Sequence, residues 1–285
     1  PHDQTRRQRQ MCIRDRLEAA GSSYVARHEP DFAFAADPWF RGIDLVTGPA
    51  GQVWIADWSD TGECHENDGV HRSSGRIFTL SYPDGERKPT RVDLTKATLT
   101  ELVELAVSGA EWYVRQARRQ LVERCTGQVS ETQRQKVLAE LRSRFENAPE
   151  SLVRLRSLWT LYQLDAVSSQ SLLTQLSSES PVLRRWAVRL LADQTISDPA
   201  VVEAFELLAT REQEGLVETY LASSLQRIPP HQRWSLARVL ATSKLARENP
   251  RLAMLIWYGI ESSVAAEPEN AGGWLGADLP ASLVE

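Results

Sequence analysis

The sequence predicts an α+β chain in which strands and helices are segregated, strands first and helices after, and three observations carry that expectation. Short apolar runs punctuated by Gly and Pro turns fill residues 31–95. A helical period takes over at Thr98 and persists to about residue 266. Within that helical part a segment rich in Arg and Ala recurs at an offset of 70 residues.

The strand region starts near Asp37, with RGIDLVTG, QVWIADWSD, GRIFTLSY and RVDL as its runs. Gly48, Pro49, Ala50 and Gly51 separate Ile43–Val46 from Val53–Ala56, which predicts a hairpin, and Pro83-Asp84-Gly85 supplies a second turn. Four or five strands in about 60 residues match one β-propeller blade in size and are too few to bury two faces alone. The helical region breaks at Gly109, Gly127, Pro149, Pro181, Pro199, Gly215 and Pro229-Pro230, which leaves room for helices of about three to four turns.

The recurring segment reads RQARRQL at Arg115–Leu121 and RWAVRLL at Arg185–Leu191, with a looser copy at Val153–Trp159. A unit of roughly 35 to 40 residues has the size of a HEAT-type helix pair, so residues 96–266 are expected to form an α-solenoid that buries each face only by stacking. The shared Ala is expected at the packing position. The arginines beside it are read as a solvent flank whose stems cover apolar surface, in preference to an anion-binding stripe. Trp112, Trp159, Trp186, Trp234 and Trp257 are expected in core and inter-repeat packing.

Composition narrows the function classes. The chain has 285 residues, 42% hydrophobic and 25% charged, which is ordinary for a folded chain. A formal net charge of -5 supplies no basic field for a phosphate backbone, so no nucleic-acid partner is expected. No window approaches the ~18 to 20 apolar residues of a membrane span, and the N-terminus lacks a signal-peptide layout. Cys12, Cys64 and Cys125 include no CxxC pair and are too few for a disulfide framework.

Residues 1–16, PHDQTRRQRQMCIRDR, have neither helical nor strand periodicity. Back-translating Gln10–Arg16 permits CAG ATG TGT ATA AGA GAC AGR, which resembles the mosaic-end adapter of transposase-based sequencing libraries. The stretch is therefore expected to be an assembly artefact, with a disordered basic tail as the alternative. Without it the chain carries 28 basic against 36 acidic side chains.

The segment from Asp57 to Arg72 is the most chemically loaded. Asp57, Asp60, Glu63, His65, Glu66, Asp68 and His71 crowd carboxylates and imidazoles together, a grouping that can hold a cation or set an acid beside a base. The spacing matches no metal motif: there is no DxDxDG, and Cys64-His65 lacks the first cysteine of CxxCH. The structural alternative, in which these side chains hydrogen-bond loop backbone, is favoured. Asp57, Asp60, His65, His71 and Arg76 are the candidate cofactor- or substrate-binding residues, and no catalytic or metal residue is assigned. The sequence contains no GxSxG, P-loop, HExxH or GxGxxG.

The run from Asp37 to Leu80 resembles the final propeller blade of the membrane-bound-dehydrogenase-like proteins of planctomycetes and verrucomicrobia. Phe40-Arg41, Asp44, Gly48, Gly51, Ala56-Asp57-Trp58, His65, Arg72 and Gly75-Arg76-Ile77 carry the resemblance. Arg251–Glu261 is similar to the segment closing the helical region of that family. The resemblance implies a glucose/sorbosone-dehydrogenase-like propeller with helical repeats, periplasmic or extracellular, with a quinone or haem c elsewhere in the parent protein. On it, the chain is expected to be a non-catalytic C-terminal fragment whose partners are the remaining blades or other domains of its parent. No cofactor is expected in the fragment, and residues 267–285 are expected to be an irregular, truncated tail. Two alternatives stand beside this: a loop facing substrate or cofactor in a quinone- or haem-linked sugar dehydrogenase, and a stand-alone HEAT-repeat interaction protein.

Overall fold

The structure is a computed structural model that describes residues 15–28, 30, 36–37, 40, 42–49, 51–58, 75–81 and 93–273. The chain is α+β, with two small antiparallel sheets followed by helices. It divides into two compact units, one built from Pro1–Leu17, Ala26–Ala148 and Leu152–Leu164, the other from Glu18–Val25, Pro149–Ser151 and Asp165–Glu285.

Strands β1 (Asp15–Ala20) and β2 (Ser23–His28) pair as a hairpin that the sequence did not announce, and β1 takes in the last two residues of the stretch read as an artefact. Gly21, at φ +58°, makes its turn. Strands β3 (Gly42–Thr47), β4 (Val53–Asp57) and β5 (Arg76–Leu80) form an antiparallel meander in chain order. The expected hairpin is there: Thr47 pairs with Val53, the Gly48 amide donates to the Gln52 carbonyl at 2.7 Å, and Gly51 takes φ +81°. Among the described residues the blade region holds three strands where four or five were expected, and Pro83-Asp84-Gly85 lies outside those residues.

The first unit's helices are α1 (Leu99–Val107), α2 (Glu111–Gly127), α3 (Glu131–Asn147) and α4 (Ser151–Gln163). Thr98 and Ser130 open α1 and α3 with capping boxes closed by Glu101 and Gln133. Gly109, at φ +105°, permits the turn between α1 and α2. Helix α1 packs on both α2 and α3. Val114, Ala117 and Leu121 line the buried stripe of α2 as the period predicts.

The second unit contains α5 (Ser169–Gln175), α6 (Pro181–Leu191), α7 (Pro199–Arg211), α8 (Gly215–Ser224), α9 (Trp234–Ala241), α10 (Lys244–Glu248), α11 (Pro250–Ala266) and α12 (Pro268–Gly272). Pro181, Pro199, Pro250 and Pro268 stand at the first helical position, where the missing N–H costs nothing. Pro268 thus begins a short helix inside the segment expected to be irregular. Helix α6 packs on α8, α8 on α11, α7 on α9 and α9 on α11, around Phe205, Leu221, Leu225, Leu236 and Ile256.

Two expectations need adjustment. Arg156, in the looser repeat copy, is not on a solvent flank: only 6% of it is exposed, and it donates to the Val107 carbonyl at 3.2 Å and pairs with Glu111. The tryptophans meet their expectation in part: Trp112, Trp159, Trp186 and Trp234 are half-buried, Trp234 packing against the apolar core, while Trp257 is exposed. Trp234 keeps its indole N–H at the edge of that core, where it donates to Glu267 at 2.8 Å.

Gly259 of α11 lets that helix approach Leu225 closely, since an added Cβ would stand 2.6 Å from Leu225 Cβ and 2.7 Å from its Cδ1. Gly259→Ala is expected to lower stability by about 1–3 kcal/mol, read as a fall in the urea midpoint. A change within about 0.5 kcal/mol would show that α11 can retreat freely.

Candidate functional site

Of the five candidate residues, the structure describes two, and it joins them. Asp57 ends β4 and Arg76 begins β5, and the antiparallel register sets them directly opposite. Arg76 Nε and Nη2 both reach Asp57 Oδ2 at 2.7 Å, and the Asp57 side chain is fully enclosed. The other side of the guanidinium donates through Nη1 to Asp37 Oδ2 at 2.5 Å. Its carbon stands 5.0 Å from the centre of the Phe78 ring, which meets Phe40 edge-on at 5.8 Å. Asp60, His65 and His71 lie outside the described residues.

The chemistry of this cluster is that of a latch. Hydrogen bonds donated to Asp37 and then to Asp57 hold the Arg76 pKa above its ordinary value, so the guanidinium stays charged and moves no proton. Asp37 was missed as a functional residue because it entered the sequence reading only as the point where the pattern changes. Its pairing with Arg76 spans 39 residues and has no local signal. Among the described residues, no group of three His, Cys, Asp or Glu side chains is placed to hold a metal ion.

A second polar site lies in the second unit. Glu218 of α8 is only 2% exposed and lines a cavity of about 740 Å³ with Glu212, Ser243 and Glu248. Ser243 Oγ donates to Glu218 Oε2 at 2.9 Å while accepting from the Ala246 amide at 3.1 Å, so it serves the carboxyl and caps α10 together. Burial raises the Glu218 pKa; the Ser243 hydrogen bond opposes the rise and the neighbouring Glu212 adds to it. Burial also pushes Glu212 upward, but the fork of Arg184, with two contacts of 2.7 Å, and the amides of Glu214 and Gln213 leave its pKa below the ordinary value. The sequence carried a signal for Glu218. It shares the spacing i, i+3, i+4, i+7 with Leu221, Ala222 and Leu225, which places an acid on an apolar stripe.

The remaining described cysteine, Cys125, is buried in α2 as a free thiol, and burial raises its pKa, which suits a packing residue better than a nucleophile.

Two outcomes follow. In Asp57→Asn the enclosed charge opposite Arg76 is removed, so amide exchange should accelerate across Val53–Asp57 and Arg76–Leu80 while α7–α11 keep their protection; unchanged exchange in the strands would show that the latch contributes nothing. For Glu218 the sign is set by a folded pKa above the unfolded reference of 4.5. The folded chain holds a proton that the unfolded chain has lost between those values, so the contribution is complete below the reference and is lost as pH rises through the folded pKa. The urea midpoint of Glu218→Gln should therefore decline less than that of the parent chain between about pH 5 and pH 8, and parallel declines would assign the slope to other groups.

Comparison of the chain with protein-family models, with curated proteins and with solved structures gives no match.

Proposed function

We propose that the chain is a non-catalytic scaffold, a β-blade joined to HEAT-like helix pairs, that presents apolar faces to other domains of a secreted dehydrogenase-like protein. The observation that carries this reading is apolar surface left open on regular elements. The strand register places Val46, Trp54 and Ile77 on one face of the β3–β4–β5 sheet, and all three are exposed. On α11, Met254, Trp257 and Tyr258 are exposed at i, i+3 and i+4. Contiguous apolar patches of this kind mark interaction sites.

Packing supports the helical-repeat part. Contacts of α6 with α8 and α7 with α9 join each helix to the one two places on, the arrangement that stacked helix pairs produce. The meander order supports the blade part. A haem c or quinone would belong to the parent protein, and the periplasmic or extracellular setting rests on the family resemblance alone.

The second reading makes the segment from Asp57 to His71 part of a dehydrogenase mouth. The pairing of Arg76 with Asp57 and Asp37 favours the scaffold, because a guanidinium held by two carboxylates has fewer donors left for a substrate.

Two measurements test the proposal. Sedimentation of the chain at rising concentration should show self-association that the combined substitution Val46→Ser, Trp54→Ser and Ile77→Ser abolishes; a chain that stays monomeric throughout speaks against a partner-seeking sheet. Dye-linked oxidation of aldoses, with pyrroloquinoline quinone and calcium supplied, should remain at background. Turnover that disappears in Asp57→Ala would replace the scaffold with the dehydrogenase reading.

A further inference from the structure

Many of the sequestered arginines of this chain hold backbone acceptors, although the Nε atoms of Arg156 and Arg185 are, like that of Arg118, buried without one. Arg124, Arg134, Arg154, Arg156, Arg184, Arg211 and Arg233 each donate to at least one backbone carbonyl. Arg118 of α2 departs from that pattern. Its guanidinium lies over the Trp159 ring, 5.1 Å from the centroid, and its Nε is buried with no acceptor. A buried donor without an acceptor is costly, and stacking on an aromatic face does not supply a lone pair.

The surroundings make the deficit larger. Arg115, Arg118 and Arg119 occupy i, i+3 and i+4, so they share one face of α2. With Val122 and Glu123 of α2 and Gln163 of α4 they line a cavity of about 770 Å³. Arg115 has only a loose 3.7 Å contact with Glu111. Arg119 is exposed and makes no ion pair with any described residue. Burial lowers the Arg118 pKa, Glu111 opposes the change, and Arg156 and Arg115 reinforce it. The one acid in the lining is Glu123, which accepts from Gln120 at 3.2 Å.

We propose that this cavity binds a tetrahedral oxyanion, a phosphate or sulfate group, through the guanidinium forks of Arg118 and Arg119, with Arg115 and Gln163 at its edge. Charge balance selects the class. Three guanidinium groups against Glu123 in the lining, with Glu111 loosely paired to Arg115 beside it, leave the lining net positive, which a sulfate, or a phosphate at about -1.5 to -2, matches better than a single carboxylate does. The planar fork of arginine suits such anions, each oxygen accepting more than one N–H. The cavity is larger than a bare anion, so the group can be free or carried on a small molecule.

Isothermal titration calorimetry of the full chain with inorganic phosphate, inorganic sulfate, phenyl phosphate and acetate tests this, with ionic strength held constant by chloride. Saturable heats are expected for the first three and not for acetate. Phenyl phosphate binding more tightly than inorganic phosphate would identify a carried group, and equal affinities a free anion. Arg119→Gln, at an exposed position, should keep the parent far-ultraviolet circular dichroism and weaken phosphate about tenfold. Arg118→Lys, which keeps the charge and loses the fork, should weaken it as well. Tryptophan fluorescence should respond to phosphate in the parent chain and less in Trp159→Phe. Absence of saturable heat with all four probes, acetate binding as tightly as phosphate, or undiminished phosphate binding in both arginine variants would overturn the proposal.

Discussion

The carbonyls that helix ends and turns leave without partners are the constraint on which much of this structure depends. A helix ends with carbonyls that no following turn can satisfy, and a chain of many short helices has many such ends. Here arginines from elsewhere in the same unit reach them. Arg156 serves Val107 at the end of α1, Arg154 serves Phe145 in the last turn of α3, and Arg134 serves Leu164 just beyond α4. In the second unit Arg211 reaches Leu176, and Arg233 joins Ile228 to Gly259 of α11. Each contact ties the end of one element to the body of another, so it fixes their relative position as well as satisfying a backbone group. Apolar burial supplies the larger driving force, yet it is non-directional. The guanidinium contacts supply direction.

The same logic governs the sheet. Three short strands expose much of their apolar surface, and a two-carboxylate clamp on Arg76 restrains the β4–β5 register that burial alone specifies weakly. The β1–β2 hairpin is held by polar contacts too. The Ser22 carbonyl accepts from Thr219 Oγ1 at 2.7 Å, and its hydroxyl accepts from Asn249. Gly215 leaves room for this approach, since a Cβ there would stand 2.4 Å from the backbone of Gly21. The glycine read as a helix break is therefore also a contact surface, which no local pattern distinguishes.

Legibility in the sequence followed the range of the interaction. Helix breaks at Gly109, Pro181 and Pro199 and the hairpin turn at Gly48–Gly51 are effects of backbone chemistry within a few residues, and the structure has them where the sequence placed them. Asp57 and Arg76 were each singled out, but their pairing depends on a register set across residues 58–75, and Asp37 joins from farther away. Arg115, Arg119 and Arg189 are exposed as the sequence reading had them, but Arg154 and Arg156 were misread as solvent flank because each has a carbonyl as an acceptor, and every residue has one. Nothing in the letters marks which carbonyl is left over at a helix end. The first hairpin was hidden by the unusual composition of the residues before it, which drew the reading away from strand formation at Asp15–Ala20.

The distinction between a structural and a ligand-seeking arginine follows from this accounting of acceptors. Arg184 is half-buried and well paired: both carboxylate oxygens of Glu212 and the carbonyls of Ser178 and Glu179 receive four of its five N–H donors, which leaves little to recruit an anion. Arg118 is comparably sequestered, has a ring in place of an acceptor, and faces two further guanidinium groups across open volume. Structural arginines in this chain are recognised by what they already hold. Arg156 also has a buried Nε without an acceptor, but its Nη atoms hold Val107 and Glu111; Arg118 has no hydrogen-bond acceptor among the described residues and stands beside Arg115 and Arg119, and those unpaired donors give anion binding its driving force.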